Sequence, residues 1–330
     1  MIRFLMPLAS LSLEERVKDL NLQFDRFLNS DCLREYLSFF KIESTNPEVI
    51  SKALGRYDPR DTGDLKKESQ EVKASDYLLS LKSELFPFYR EMGLVDINRP
   101  NRDYYDRIVL LGGSANSNFD KTKAAKRLLN NNVREVSALS CFRPIPYSDI
   151  DNVLNREDNI KTTPFETEFG SFLSAYTNYL DADEICIEHV INSPRNINKS
   201  SAIKTFRDKE MKDRIYKVYA CPSLTDTERA GTYDTCVHYL DSINVDEKAA
   251  ILFVTNNQYV NYQFLGAAIS VLECKRHCID FDIVGCSPDN NLTSEDEYNV
   301  VQYFGDIRYS IQWIDRFRKK FIPLTTDTFV

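Results

Sequence analysis

The arrangement of apolar runs in the second part of the chain constrains the fold most strongly. From about residue 105 onward, short apolar runs alternate with stretches of helical character. The runs are R-I-V-L-L-G-G, V-R-E-V-S-A-L-S-C-F, E-I-C-I-E-H-V, Y-K-V-Y-A-C-P, A-I-L-F-V-T-N and D-F-D-I-V-G-C. Such runs are typical of strands buried on both faces of a parallel sheet. The pattern predicts an α/β fold with a Rossmann-like, doubly wound, mainly parallel sheet.

The first part of the chain has helical periodicity instead. Ser12 and Glu15 have the spacing of a capping box, and apolar residues recur on one helical face after them. Further helices are expected in C-L-R-E-Y-L-S-F-F and over about 75–92, whereas the stretch that begins N-P-E-V-I resembles a surface loop. We therefore predict a helical N-terminal region over residues 1–98 and an α/β domain with a C-terminal helix over 99–330.

Composition limits the partners and the compartment. Lys and Arg total 42 against 50 Asp and Glu, a formal net charge of −8, which argues against binding bulk nucleic acid. No run approaches the roughly 18 apolar residues of a membrane helix, and the first residues fit neither a signal nor a transit peptide. We expect a cytoplasmic protein with no membrane partner, and the sequence leaves a homo-oligomer open.

The cysteines indicate buried thiols. The chain has eight cysteines without a C-x-x-C pair, and several lie in apolar runs, so no disulfide is expected in the cytosol. Cys274 and Cys278, with His277 between them, form the one cluster with a hint of metal spacing. No second Cys/His pair lies at a usual interval, and we therefore predict no metal site.

The first apolar run ends in a glycine turn, Gly112-Gly113-Ser114-Ala115-Asn116, which leads into a lysine-containing helix. Backbone amides after such a turn can hold an anion, with Lys121 about one helical turn further on. The spacing matches neither a dinucleotide fingerprint nor a P-loop, and a plain strand-to-helix turn also accounts for two glycines. The sequence leaves both interpretations open.

Polar segments also follow later apolar runs, where ligands of a doubly wound sheet bind. Their amide, hydroxyl and phenol groups suit hydrogen bonds to a ligand, although helix caps and packing of the tyrosines explain them equally well. The candidates are Arg229, Thr232, Thr255, Asn256, Tyr259 and Tyr262. Arg143, after the second run, is expected at the same edge either as a clamp for a carboxylate or phosphate or in a structural salt bridge.

Three motifs together resemble the bacterial ElyC/SanA/YdcF-type domain of unknown function. They are L-L-G-G-S, E-R-A-G-T-Y-D-T and I-L-F-V-T-N-N-Q-Y-V-N-Y-Q, within about residues 105–290. The resemblance implies a Rossmann-like fold with the motifs around one pocket, and S-adenosylmethionine or a nucleotide as ligand. It matches Gly112 and Gly113, Thr232, Asp234 and Thr255 to the family, whereas Tyr259 and Tyr262 stand where the family has His and Arg.

Acidic side chains are the candidate catalytic groups. Glu166 and Glu168 lie on one side of the chain if their segment is extended, and Asp234 opens a predicted helix. Carboxylates at such places suit general acid/base chemistry, although an acidic pair is more often a solvated face. His189 with Glu188 follows a strand, but no histidine has a Ser or Cys partner at a signature spacing.

We expect the sheet edge to bind a nucleotide-like or phosphorylated small molecule. Two alternatives remain open from the sequence. One is a transferase or hydrolase that uses carboxylates as acid and base, and the other is a non-enzymatic module that contacts a protein.

Overall fold

The computed structural model describes residues 3–58, 75–96, 98–155, 165–193, 195–226, 229–244, 248–276, 278–286 and 297–326. The chain divides into two compact units. The helical unit comprises Met1–Asn98, Asn257–Gly266 and Asn290–Val330, and the sheet unit comprises Arg99–Asn256 and Ala267–Asp289. The C-terminal helix thus belongs to the helical unit, whereas the division drawn from the sequence placed it with residues 99–330.

The helical unit contains six helices among its described residues, together with the start of a seventh. They are α1 (Leu13–Leu28), α2 (Asp31–Ser38), α3 (Pro47–Gly55), α4 (Asp76–Ser80), α5 (Lys82–Glu91) and α11 (Glu297–Thr326), and the seventh is α10 (Val260–Glu273). The predicted capping box of α1 is confirmed, since Ser12 Oγ accepts from the Glu15 amide at 3.2 Å and Glu15 Oε2 accepts from the Ser12 amide at 2.8 Å. Aromatic rings of α1 and α11 pack in the interior, where Phe24 lies 4.9 Å from Phe317 between ring centroids.

Helix α3 corrects the expectation of a loop in this region. Asn46 Oδ1 accepts from the Glu48 amide at 2.9 Å, and Pro47 takes the first helical position, where its missing N–H costs nothing. The N-P pair that indicated a loop therefore begins a helix. Pro47–Gly55 is helical, while residues 59–74 lie outside the described residues.

The sheet unit is built on seven strands. They are β1 (Arg107–Leu111), β2 (Glu135–Ser140), β3 (Ala182–Ile191), β4 (Ser201–Asp208), β5 (Ile215–Ala220), β6 (Ala249–Asn256) and β7 (Ile279–Cys286), in the spatial order β3-β4-β5-β2-β1-β6-β7. The five strands β5-β2-β1-β6-β7 are parallel, and β3 and β4 are antiparallel additions at one side. The predicted Rossmann-like, mainly parallel α/β fold is confirmed.

The antiparallel pair was not predicted. The run E-I-C-I-E-H-V predicts a buried parallel strand, but β3 is an antiparallel edge strand that pairs with β4. Strand β4 has the sequence S-A-I-K-T-F-R-D, whose charged residues obscured it. Both strands lie on the far side of β5 from β1.

Helices cover both faces of the parallel strands. Helices α6 (Ala115–Leu128) and α8 (Glu168–Tyr179) pack on one face, in a core cluster that contains Ala125, Phe172 and Val136. Side chains alternate along a strand, so Glu135 faces the other side of β2, where Tyr239 of α9 (Thr232–Asp241) donates to its Oε1 at 3.1 Å. Both faces of the sheet are therefore buried, so a ligand is expected at the ends of the strands.

Candidate functional site

The strand order defines where a ligand is expected. Among the parallel strands, the connection after β1 leads to β2 on one side, and β6 lies on the other side of β1. This reversal is the topological switch point of a doubly wound sheet, and ligands bind beyond the carboxyl ends of the strands there. Gly112 follows β1, and Asn256 ends β6. The glycine turn is therefore located at the switch point.

The two glycines provide space for polar side chains of the chain itself. A Cβ on Gly112 would lie 1.9 Å from Glu168 Oε1 and 2.8 Å from the Leu139 carbonyl oxygen. A Cβ on Gly113 would lie 2.9 Å from both Lys121 Nζ and Ser117 Oγ. Neither glycine has a positive φ, so the backbone conformation does not require glycine at these positions. The close approach of the Glu168, Lys121 and Ser117 side chains does.

An internal carboxylate occupies the N-terminus of α6. Asp149, in the first turn of α7 (Tyr147–Leu154), accepts from the Ala115 amide at 2.6 Å and from the Asn116 amide at 3.5 Å. Ser114 Oγ accepts from the Ser117 amide at 3.4 Å. The amides that would hold a phosphate therefore bond to the chain itself, and Asp149 complements the positive end of the helix dipole. No local pattern indicates this contact, because Asp149 lies more than thirty residues after the turn.

Lys121 lies beneath the glycine turn. Its side chain is buried, with 1% of the residue exposed, and Nζ donates to the Leu111 carbonyl at 2.5 Å and to Asn118 Oδ1 at 3.5 Å. Burial lowers the pKa of Lys121 to about 8, although the nearby Glu168 carboxylate acts in the opposite direction. The Lys121 ammonium group, with its lowered pKa, therefore lies next to Gly113, in the space that a Cβ on residue 113 would otherwise fill.

Arg143 and Glu168 form an ion pair at the same turn. Arg143 Nε lies 3.3 Å from Glu168 Oε2, and Arg143 Nη2 donates to the Gly113 carbonyl at 3.0 Å. The two segments are also joined through the backbone, since the Glu168 amide donates to the Arg143 carbonyl at 2.9 Å. The structure thus shows Arg143 at the predicted edge in a structural salt bridge, and its role as a clamp for a ligand stays a prediction.

Glu168 has one oxygen with hydrogen-bonding capacity to spare. Its Oε2 faces Arg143 and accepts from Cys141 Sγ at 3.4 Å, and burial raises the pKa of that thiol. Its Oε1 lies against Gly112 and accepts no hydrogen bond from the described residues. Glu168 is thus an acceptor fixed in position at the switch point.

Asn256 lies on the β6 side of the same turn. Ser117 Oγ donates to Asn256 Oδ1 at 2.8 Å, which leaves the Asn256 side-chain amide without an acceptor among the described residues. Thr255, the preceding candidate, is fully buried within β6. The structure therefore brings together eight of the predicted residues around the end of β1, namely Gly112, Gly113, Ser114, Asn116, Lys121, Arg143, Glu168 and Asn256.

Other candidates lie in the loop after β5 or are exposed. Asp234 accepts from the Gly231 amide at 2.6 Å and from the Leu224 amide at 3.4 Å, which is the role of a helix cap for α9. Thr232 begins that helix, and Arg229 is exposed just before it. Glu166 is exposed as well, and its backbone carbonyl accepts from the Ile145 amide at 2.9 Å. The pairing of Glu166 with Glu168 fails because Thr167 caps α8, so that only Glu168 is helical and buried.

Tyr259 and Tyr262 belong to the helical unit. The Tyr259 hydroxyl donates to Gln302 Oε1 of α11. The Tyr262 amide donates to Asp306 Oδ1 at 3.2 Å, and its ring lies 5.8 Å from that of Tyr309. Both tyrosines thus have partners in α11 of the helical unit, whereas the alternative drawn from the sequence had them pack on the sheet.

The remaining candidates lie outside the site or outside the described residues. His189 lies on β3, where its backbone is opposite Ile203, and His277 is not described. The seven cysteines that the structure describes are free thiols. Over the same residues, no cluster of three or more His, Cys, Asp or Glu is arranged to hold a metal, and no helix is long and apolar enough to cross a membrane.

Comparison with known proteins adds no constraint. No family model, no curated protein and no solved structure matches the chain. The resemblance to the ElyC/SanA/YdcF-type domain therefore stays a prediction that rests on its three motifs.

Proposed function

We propose that the sheet unit binds a nucleotide-like small molecule at the carboxyl edge of β1 and β6. The observation that carries the proposal is the position of Glu168 at the switch point of the sheet. Its Oε1 lies where a Cβ on residue 112 would be, next to Gly112. A fixed carboxylate at such an edge is a suitable acceptor for sugar hydroxyls, as in dinucleotide-binding folds. Asn256, on the other side of the turn, offers an amide donor.

The charges at this edge favour the hydroxyl-bearing part of a ligand over a phosphate at the turn itself. The two places where a glycine turn usually receives a phosphate hold Asp149 and Glu168. A phosphate there would face two carboxylates at short range, and like charges in a partly buried site repel strongly. A phosphate of the same ligand is better placed toward Arg143, which already faces the turn.

A thermal-shift screen tests the proposal. The panel contains nucleosides, nucleotides, S-adenosylmethionine and sugar phosphates, and a ligand at 100 times its Kd adds about 2.7 kcal/mol to the free energy of unfolding. We expect at least one nucleoside-containing compound to stabilise the protein. Stabilisation by none of them would contradict the proposal and favour a module that contacts a protein.

A matched pair of variants connects the binding to Glu168. Glu168→Gln removes the charge at the turn, and Glu166→Gln makes the same change two residues away on an exposed side chain. Hydrogen bonds to charged groups contribute about 1.5–3 kcal/mol, so we expect the Kd measured by calorimetry to rise at least tenfold in Glu168→Gln alone. Equal affinities in the two variants would separate the ligand from this site.

A catalytic role is the second candidate, because Lys121 and Glu168 flank the same turn. A buried lysine with a pKa of about 8 lies in the range that suits proton transfer near neutral pH. Of the three candidate acids, Glu168 is the one located at the switch point, whereas Asp234 caps α9 and Glu166 is exposed. Mass spectrometry of each ligand after incubation with the protein would reveal a product, and Glu168→Gln, with its folding checked by circular dichroism, should lose that product.

A further inference from the structure

The loop after β2 presents an aromatic side chain that the fold does not use. Tyr147, the first residue of α7, is 87% exposed, and neither its ring nor its hydroxyl contacts another described residue in a hydrogen bond or ring pair. Most large aromatic residues of the sheet unit are buried instead, for example Tyr176, Tyr216 and Tyr239. The Tyr147 ring therefore adds nothing to the core, and its hydroxyl satisfies no buried group.

The backbone that carries Tyr147 is held firmly. Pro144 and Pro146 restrict the chain on either side of Ile145, which is buried in a cluster with Ala115 and Phe119 of α6. Pro144 is also paired with Thr167. The backbone at Tyr147 therefore need not be ordered when a ligand binds, and only the rotamer of its side chain is fixed by the contact.

Tyr147 belongs to a segment whose other residues contact the glycine turn. Asp149, two residues later in the same helical turn, bonds to the amide of Ala115, which is two residues after Gly113. Arg143 lies four residues before Tyr147, so their Cα atoms are at most about 14 Å apart. The loop thus connects the ion pair at the glycine turn to an exposed aromatic ring at the same edge of the sheet.

We infer that Tyr147 is the stacking platform for the base of the nucleotide-like ligand, an inference that rests on the proposed function. Each base has a flat π-face, and aromatic side chains stack on it without requiring a particular base. Glu168 and Asn256 then receive the polar part of the ligand, while Tyr147 selects ligands with a planar ring over sugar phosphates. The site therefore binds nucleotides more tightly than sugar phosphates that lack a base.

The test compares ligands with and without a base in matched variants. The probes are AMP, UMP and ribose 5-phosphate, and the variants are Tyr147→Ala, Tyr147→Trp and Tyr104→Ala, each checked for folding by thermal unfolding. Tyr104 is the control, because it is 48% exposed and lies three residues before β1, at the amino end of the strands. Calorimetry gives the Kd of each pair.

We expect Tyr147→Ala to raise the Kd of at least one of the two nucleotides about tenfold, equal to about 1.4 kcal/mol, within the range of base–aromatic stacking. The Kd of ribose 5-phosphate should not change, and Tyr147→Trp and Tyr104→Ala should bind as the wild type does. An unchanged nucleotide affinity in Tyr147→Ala would overturn the inference and leave the proposed function standing, as would equal weakening of nucleotide and sugar phosphate. Failure of the wild type to bind AMP or UMP would overturn the inference, and the proposed function would fall as well if no compound of the thermal-shift panel stabilised the protein.

Discussion

Replacing Gly112 by alanine tests the packing at the centre of the candidate site. The new Cβ would lie 1.9 Å from Glu168 Oε1 and 2.8 Å from the Leu139 carbonyl oxygen, so the Glu168 carboxylate must move. That movement strains the ion pair with Arg143, whose Nε is 3.3 Å from Glu168 Oε2. We expect Gly112→Ala to destabilise the protein through these two contacts.

The magnitude follows from overpacking and from the ion pair. Overpacking a closely packed position costs about 1–3 kcal/mol, and breaking a buried ion pair by removing one partner costs about 3–5 kcal/mol. Since Glu168 is displaced rather than removed, we expect a loss of about 3 kcal/mol. Gly113→Ala is the matched control, because the atoms nearest to its Cβ belong to the side chains of Lys121 and Ser117 rather than to the backbone, and we expect a loss of about 1 kcal/mol or less.

Urea denaturation followed by far-ultraviolet circular dichroism measures these free energies, and the double variant isolates the contact with Glu168. In a Glu168→Ala background only the contact with Leu139 remains, so Gly112→Ala should cost about 1 kcal/mol there, a coupling of about 2 kcal/mol. An equal cost in both backgrounds would refute the reasoning. So would a cost in the wild type no larger than that of Gly113→Ala.

Three further predictions follow from the same cluster. Burial lowers the pKa of Lys121 to about 8, so the folded state loses this proton at a lower pH than the unfolded state does. The free energy of unfolding of the wild type relative to Lys121→Met should therefore rise by on the order of 3 kcal/mol from pH 8 to 10.5. A constant difference across this range would contradict the lowered pKa of Lys121. Asp149→Ala should lower the free energy of unfolding by about 1–2 kcal/mol in urea titrations, since the Ala115 amide loses its acceptor, and an unchanged midpoint would argue against the cap. Asn256→Ala should weaken a bound nucleoside by about 1–3 kcal/mol in calorimetry, and unaltered binding would remove Asn256 from the site.

The fold was predictable to the extent that local pattern decides it. Buried apolar runs predicted five of the seven described strands in their parallel arrangement, and the Ser12–Glu15 spacing predicted the start of α1. Strand β3 was predicted with the wrong direction, and β4 escaped because its charged residues interrupt the apolar run that marks a buried strand. Helix α3 escaped because the same N-P pair that begins a helix also marks a turn.

The candidate site was predictable in location more than in chemistry. The rule for doubly wound sheets predicted that Gly112, Arg143 and Asn256 would approach one edge, since each follows or ends a strand. The use of the glycines was not predictable, because Glu168 reaches Gly112 from a helix more than fifty residues away. Asp149 at the start of α6 is a tertiary contact of the same kind.

The most direct test of the proposed function is a crystal structure of the wild-type protein grown with the tightest-binding nucleoside or nucleotide of the panel. The proposal predicts ligand density beside Gly112 and Gly113, with a hydroxyl or amino group of the ligand within about 3.2 Å of Glu168 Oε1. Ligand density at another part of the protein, with the edge of β1 and β6 left empty, would contradict it.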